Sequence, residues 1–366
     1  MWHAGRGVRQ TGIDAARRRA LGTAAGGAAA LAALTALAFV PRVRAQAATP
    51  RPAAPAAAFD LQGHRGARGL APENTLAGFR RALAVGVDTL ELDLQCTRDG
   101  VLVVHHDPRL NAAITRRGGR WLPAAEPGPA IASLTLAELA AYDVGRLDPT
   151  SAYGAQWPQQ QPADGERVPT LAAVFELVRA LERTQPAAAA IRFNVETKLS
   201  PDEPALYAAP EVLAERVVAA IERAGLAARC TVQSFDWRTL LAVRRLRPGL
   251  ATAALSVRTP RTDNVGAAEG RWTAGLRLAD HGGAVPRLVH AAGAAVWSPL
   301  HTNLDEPDLA LARSLGLTVI PWTVNEPAAI ARLLGLGVDG VITDHPERVR
   351  TELLARGRPL PAAFPT

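Results

Sequence analysis

Glu91-Leu92-Asp93 sets two carboxylates at positions i and i+2. On an extended strand such positions share a face, so both acids can reach one hard cation, with Glu196 offering a third arm. Oxygen donors of this kind favour Mg²⁺ or Ca²⁺ over metals that prefer thiolates. A Glu-x-Asp pair could also be a solvated strand face. Here Leu90, Leu92 and Leu94 alternate with the acids and mark the opposite face as buried, which turns the carboxylates toward a common centre. Two histidines, His64 in His64-Arg65-Gly66 and His106 in His105-His106-Asp107, supply groups that exchange protons near neutrality. Either alone could be a core hydrogen-bonder; beside three acids the pair reads as acid and base. Arg65 presents a planar fork suited to phosphate oxygens. Lys198 is the only lysine in the chain. Two residues beyond Glu196, its ammonium suits a phosphate oxygen or the orientation of the acids, with a chance salt bridge to Glu196 as the plainer alternative.

These clusters fall at the ends of short apolar runs that alternate with amphipathic segments of helical length, the pattern of a parallel sheet wrapped by helices. Eight runs qualify as strands: Phe59–Gly63, Thr89–Leu94, Ile191–Val195, Thr231–Ser234, Thr252–Leu255, Ala295–Trp297, Thr318–Pro321 and Val338–Ile342. Helices are expected at Asn74–Ala84, Leu171–Arg183, Glu211–Ala224, Trp237–Leu246, Leu309–Leu315 and Pro327–Leu334. Eight alternations fit an α/β fold of the (β/α)₈ TIM barrel type, which collects its chemistry at the carboxyl ends of the strands; an open doubly wound sheet is the rival. One run breaks the alternation. Val101–His106 follows Glu91–Arg98 after only Asp99-Gly100, too short a link for a parallel crossover, so the two form an antiparallel hairpin at the rim. A turn centred on Asp99-Gly100 pairs Arg98 with Val101 and sets Asp93 opposite His106. Residues 111–167, rich in Gly, Pro and Gln with one helical signal at Leu134–Tyr142, read as an insertion that caps the rim or merely decorates it.

The charge is uneven. Seven of the 41 basic residues and one of the 34 acids lie in residues 1–45, so the remaining 321 residues are nearly balanced and lack the basic excess of a nucleic-acid binder. The first 45 residues form an export leader: Arg17-Arg18-Arg19 precedes an Ala-rich apolar stretch from Leu21 to Val40, and Val43 and Ala45 suit cleavage before Gln46. The paired arginines resemble a twin-arginine signal, which implies a periplasmic or secreted protein with no stable membrane insertion once the leader is removed. Retention as an anchor is the alternative. Residues 46–58 form a Pro/Ala linker, residues 59–350 the barrel and residues 351–366 a tail. Cys96 and Cys230 exclude a disulfide scaffold and a four-thiolate zinc site, and are expected as free thiols.

Read together, His64-Arg65-Gly66, Ala71-Pro72-Glu73-Asn74-Thr75, Glu91-Leu92-Asp93, His106-Asp107, Glu196-Thr197-Lys198, Gln233-Ser234-Phe235, Trp322-Thr323-Val324-Asn325 and Gly337–Asp344 resemble the glycerophosphodiester phosphodiesterase family, especially its larger exported bacterial members. The resemblance implies a phospholipase-C-like barrel and metal-dependent hydrolysis of a small-molecule glycerophosphodiester to an alcohol and glycerol 3-phosphate. It implies His64 and His106 as the acid–base pair, and Glu91, Asp93 and Glu196 as ligands of one divalent cation, Ca²⁺ or Mg²⁺. Arg65 and Lys198 would grip phosphate, and Phe235 and Trp322 would line the alcohol pocket. His105 stands where an apolar or aromatic neighbour is expected. A lysophospholipase D on the same scaffold and a non-catalytic periplasmic binding protein are the other readings. Neither the alcohol, the nucleophile (water or the glycerol 2-hydroxyl) nor the oligomeric state follows from the residues.

Overall fold

The structure, a computed structural model, describes residues 59–365; the predicted leader and linker lie outside the described residues. The strands are β1 (Asp60–Gly63), β2 (Thr89–Cys96), β3 (Leu102–Val104), β4 (Arg116–Arg117), β5 (Arg120–Trp121), β6 (Tyr142–Asp143), β7 (Arg192–Thr197), β8 (Cys230–Ser234), β9 (Ala251–Ser256), β10 (Val296–Pro299), β11 (Thr318–Val319) and β12 (Gly340–Thr343). The helices are α1 (Leu76–Val85), α2 (Leu136–Leu139), α3 (Leu171–Thr184), α4 (Pro210–Arg223), α5 (Trp237–Leu246), α6 (Val285–Ala292), α7 (Glu306–Ser314), α8 (Pro327–Leu336) and α9 (Pro346–Ala355).

Eight parallel strands run in the order β1, β2, β7, β8, β9, β10, β11, with β12 returning beside β1. Backbone bonds from Asp339 N to Val319 O and from Ile342 N to Pro321 O join the last two strands, so the sheet is a nearly closed barrel. Each expected run becomes a strand, with ends moved for local reasons. Regular β11 ends at Val319, although Ile320 N and Trp322 N still bond Trp297 O and Pro299 O of β10, while Pro321, lacking an N–H, only accepts, from Ile342 N of β12. The start of β12 is delayed because Val338 N turns back to Leu333 O at the left-handed C-cap Gly337. Along β2, Leu90, Leu92 and Leu94 are fully buried in the core that includes Phe79 and Leu83 of α1, while Glu91 and Asp93 occupy the alternate face. The barrel interior is polar at this level: Asn194 donates to Gln62 and Gln233, and Gln233 donates to Glu91.

Three expectations need correction. The β2–β3 hairpin pairs Leu94 with Val104 and Cys96 with Leu102, one residue from the expected register, so Asp93 faces His105 rather than His106. The cause is a three-residue loop. Thr97 N bonds Val101 O, and Gly100 takes φ +84°, a conformation open to glycine, in place of a two-residue Asp-Gly turn. The boundary at residue 350 falls inside α9, and the supposed tail packs on the barrel: Leu353 and Phe364 are buried, and Phe364 N donates to Leu83 O. Helices α6 and α9 lie outside the expected set; each begins with proline in its first turn, where the missing N–H costs nothing. Within the insertion the helical signal contracts to α2, capped by a reciprocal Thr135–Glu138 box, while Tyr142 joins a three-stranded sheet of β5, β4 and β6. A second small core, of Ile131, Leu139, Tyr142 and Val144 with Leu110 and with Val103 of β3, seats the insertion against the hairpin. Both cysteines are free. No helix among the described residues is long and apolar enough to cross a membrane.

Candidate active site

Strands β2 and β7 bring the predicted acids together. Glu91, Asp93 and Glu196 are buried, and each offers an oxygen within 4.8 Å of the others, a group that could hold a metal ion. Their surroundings set their charge. Burial, then repulsion from Asp93 and Glu196, pushes the Glu91 carboxyl well above its usual range. Burial also pushes Glu196 up to about 7, against the attraction of Lys198. Asp93 is held well below its usual range, because Arg65 and Lys198 outweigh its burial.

Partners fix each acid. Asn74, at φ +54°, donates Nδ2 to Asp93 Oδ2 at 2.8 Å, and Gln233 donates Nε2 to Glu91 Oε1 at 2.8 Å. Lys198 Nζ lies 2.6 Å from Glu196 Oε1 and 3.5 Å from Asp93 Oδ1. Arg65 Nη1 reaches Glu73 Oε1 at 2.7 Å, while its Nε stands 3.2 Å from Asp93. Four buried carboxylates, those of Glu73, Glu91, Asp93 and Glu196, thus meet two buried cations at short range. Ionised together, the four would exceed those cations by two charges, which is why Glu91 and Glu196 hold their protons so firmly, and Asp93 Oδ1 is buried without a hydrogen-bond donor. A divalent cation on these oxygens would meet both needs, so the residues fit such an ion.

The two histidines flank this cluster, each with an aspartate. His64 Nδ1 lies 2.7 Å from Asp344 Oδ1; a carboxylate only accepts, so Nδ1 carries the proton and Nε2 is presented toward Glu91, 4.0 Å away. Burial lowers the affinity of His64 for a proton, against the pull of Asp344. His106 Nδ1 lies 2.8 Å from Asp107 Oδ1. The register slip does not remove His106 from the site, because β3 ends at Val104 and strand alternation no longer governs the residues beyond it. His106 remains within the field of Arg65, Lys198 and Asp93, and burial with the two cations brings its pKa down to about 4. His105 is buried and turns Nδ1 to Asp107 O. Phe235 and Trp322 meet edge to face with centroids 5.1 Å apart, and Lys198 Nζ lies 5.8 Å from the Phe235 ring.

Several residues to which the sequence motifs attach no role complete the site. Glu73 and Asn74 sit in the Pro72–Thr75 turn, while Asp344 and Asn325 close the motifs after β12 and β11. Asn325 Nδ2 donates to Asp344 Oδ2 at 2.7 Å. Arg68 grips Asp344 with Nε at 2.8 Å and Nη2 at 2.9 Å. Tyr153, from the insertion, donates to Glu73. The turn that carries Arg65 needs Gly66, at φ +89°, since a Cβ there would lie 2.7 Å from the α1 backbone.

A parallel barrel whose strand ends collect three carboxylates able to hold a cation, two imidazoles and two buried basic side chains is an enzyme-type scaffold fitted to an anionic substrate. Comparison with known proteins narrows the class. The sequence profile of the glycerophosphoryl diester phosphodiesterase family matches residues 64–348. A glycerophosphodiester phosphodiesterase of Bacillus subtilis (strain 168) is 31% identical over 293 residues, covering 78% of this chain and 83% of its own. Among solved structures, a protein of Silicibacter pomeroyi DSS-3 with a provisional glycerophosphoryl diester phosphodiesterase name is 37% identical. It superposes with a TM-score of 0.71, covering 83% of this chain and 96% of its own. An Oleispira antarctica phosphodiesterase, solved in complex with the product sn-glycerol-3-phosphate, shares the fold at 22% identity and TM-score 0.56, over 80% of this chain and 96% of its own. The chain belongs to the glycerophosphoryl diester phosphodiesterase family.

Proposed function

We propose that this chain hydrolyses small glycerophosphodiesters, releasing an alcohol and glycerol 3-phosphate, with one divalent cation, Mg²⁺ or Ca²⁺, held by Glu91, Asp93 and Glu196. The observation that carries the reading is the cluster of three buried carboxylates with an unsatisfied Asp93 oxygen between two aspartate-backed histidines. Family membership and the name of the Bacillus subtilis relative support the substrate class. When bound, the cation supplies Lewis-acid stabilisation of the charge that builds on the phosphoryl oxygens.

Arg65 and Lys198 bind the phosphate, Arg65 through its fork and Lys198 as a point charge. One of His64 and His106 begins neutral and takes a proton at its ring nitrogen from the nucleophile, either water or the substrate's glycerol 2-hydroxyl. The other begins protonated, a form favoured by the substrate's phosphate charge, and gives its proton to the leaving alkoxide. Phe235 and Trp322 form the aromatic wall beside the alcohol. The leader motif supports export of the folded protein to the periplasm or beyond. N-terminal sequencing of the exported form is expected to begin at Gln46.

The test of the reaction is protein stripped of metal and assayed on several glycerophosphodiesters with Mg²⁺ or Ca²⁺ restored separately. Activity should vanish on chelation and return with one of the ions. Full activity in chelator would overturn the cation assignment. Alanine at His64 or His106 should sharply lower turnover while ligand still binds; a binding protein would be indifferent to both changes.

A further inference from the structure

Residues 153–161 of the insertion grip the loop that follows β1. Gln160 Nε2 donates to Arg68 O at 2.8 Å, Gln161 N donates to Leu70 O at 2.9 Å, and Arg68 lies 4.5 Å over the Trp157 ring. At the centre of this contact the Tyr153 hydroxyl donates to Glu73 Oε2 and accepts from Arg68 Nη1 at 3.2 Å. Glu73 holds Arg65, the predicted phosphate fork. Arg68 holds Asp344, which in turn holds His64. The two partners make opposite demands: a carboxylate needs a donor and a guanidinium needs an acceptor. A hydroxyl meets both at one atom. Burial beside Glu73 raises the Tyr153 phenol far above its usual range, so it stays a donor. The loop it secures bends through left-handed conformations at Arg65 (φ +51°) and Gly66 (φ +89°), a shape that persists only when its surroundings hold it.

We propose that Tyr153 is a positioning residue that couples the oxyanion-binding half of the site to its proton-transfer half, making the insertion a working part of the site as well as a cover. The assignment rests on the phosphodiesterase reading above for its kinetic consequence, but not for its physical one. Two readouts separate them: the affinity of the cation-loaded protein for inorganic phosphate, which reports Arg65, and the downfield NMR resonance of the His64 Nδ1 proton, assigned by its loss in His64→Gln.

Tyr153→Phe should weaken phosphate binding by about 10- to 100-fold, the usual cost of removing a supporting hydrogen bond at such a site, and should shift or broaden the His64 resonance. On a glycerophosphodiester, kcat should fall and KM rise together, with the melting temperature little changed. Arg120→Ala, on the exposed sheet of the same insertion, should alter none of these. Movement of only one readout, or of neither, overturns the coupling. Should Tyr153→Phe not fold, Glu73→Gln tests the same joint from its other side: its effect should reach both the phosphate affinity and the His64 resonance, and silence at the resonance overturns the proposal. If wild-type protein hydrolyses no glycerophosphodiester while Tyr153→Phe moves both readouts, the reaction assignment fails and the positioning role stands.

Discussion

The two histidines stand in matched pairs with aspartate, yet the pairs are built differently. Asp344, behind His64, is completely buried and also carries the Arg68 guanidinium and the Asn325 amide. Asp107, behind His106, has a side chain 38% exposed and is steadied by Asn111 Nδ2 at 3.0 Å. One imidazole is therefore locked into a dry network spanning the first and last barrel strands; the other is held by its sequence neighbour at the edge of the insertion. Burial makes a charge pair depend on every member, because each loss leaves an unpaired charge out of water. A pair open to solvent can replace a lost partner with water. The His64 side should thus be rigid and costly to disturb, and the His106 side forgiving in stability while still essential to turnover.

The largest expected effect treats the two sides alike. His64→Ala and His106→Ala should each lower kcat by roughly 10²- to 10⁴-fold, the range for removal of a general acid or base. A variant that retains near wild-type kcat would remove its histidine from the chemistry and break the symmetry of the pair. Next comes the asymmetry. Asp344→Ala strands Arg68 in the interior and should cost about 3–5 kcal/mol of folding stability by urea titration, whereas Asp107→Ala should leave the unfolding midpoint nearly unchanged. Equal destabilisation by the two substitutions would refute the distinction drawn here.

The pH dependence of stability separates the two histidines from Asp344 by window. His106 titrates at about 4 in the folded chain against 6.5 when unperturbed, so the unfolded chain binds that proton first and stability falls as pH drops from 6.5 toward 4. His64, also lowered, adds to the same slope. The Asp344 carboxyl is held well below 3.8, chiefly by Arg68 acting against burial, so its contribution is complete above its unfolded pKa and is lost only as pH falls further. Unfolding measured from pH 7 to 3 should show both segments, and His106→Gln should flatten the upper one. An unaltered slope there would mean that His106 is not shielded as described. The smallest effect is expected from Asn111→Ala, which loosens only the exposed aspartate and should change kcat/KM by no more than about a few-fold, as for a single neutral hydrogen-bond partner at the surface.

The same contrast explains what could be read in advance. The members of His106-Asp107 and of Glu91-Leu92-Asp93 are near neighbours within each motif, and covalent geometry with strand periodicity is enough to relate them. The hairpin was legible as a hairpin, but its register turned on Thr97 and Gly100 closing a three-residue loop, a choice between nearly equivalent turns. Asp344 was visible as the end of a motif, yet its partners lie 280 and 276 positions away, where no local rule connects them. Arg68 and Tyr153 carried no signal at all, being ordinary residue types in a Gly-rich turn and a Pro/Gln-rich insertion.

By itself the amino-acid order determined the alternation of strands and helices, the shared face of Glu91 and Asp93, and the delivery of His64, Glu196 and Lys198 to strand ends, because these follow from backbone periodicity and the burial of apolar side chains. Only closure of the barrel decided which aspartate backs His64, and only the docking of the insertion decided that a tyrosine joins Arg68 to Glu73. Those pairings depend on where elements distant in the chain come to rest, and on the cost of leaving any buried charge without a partner.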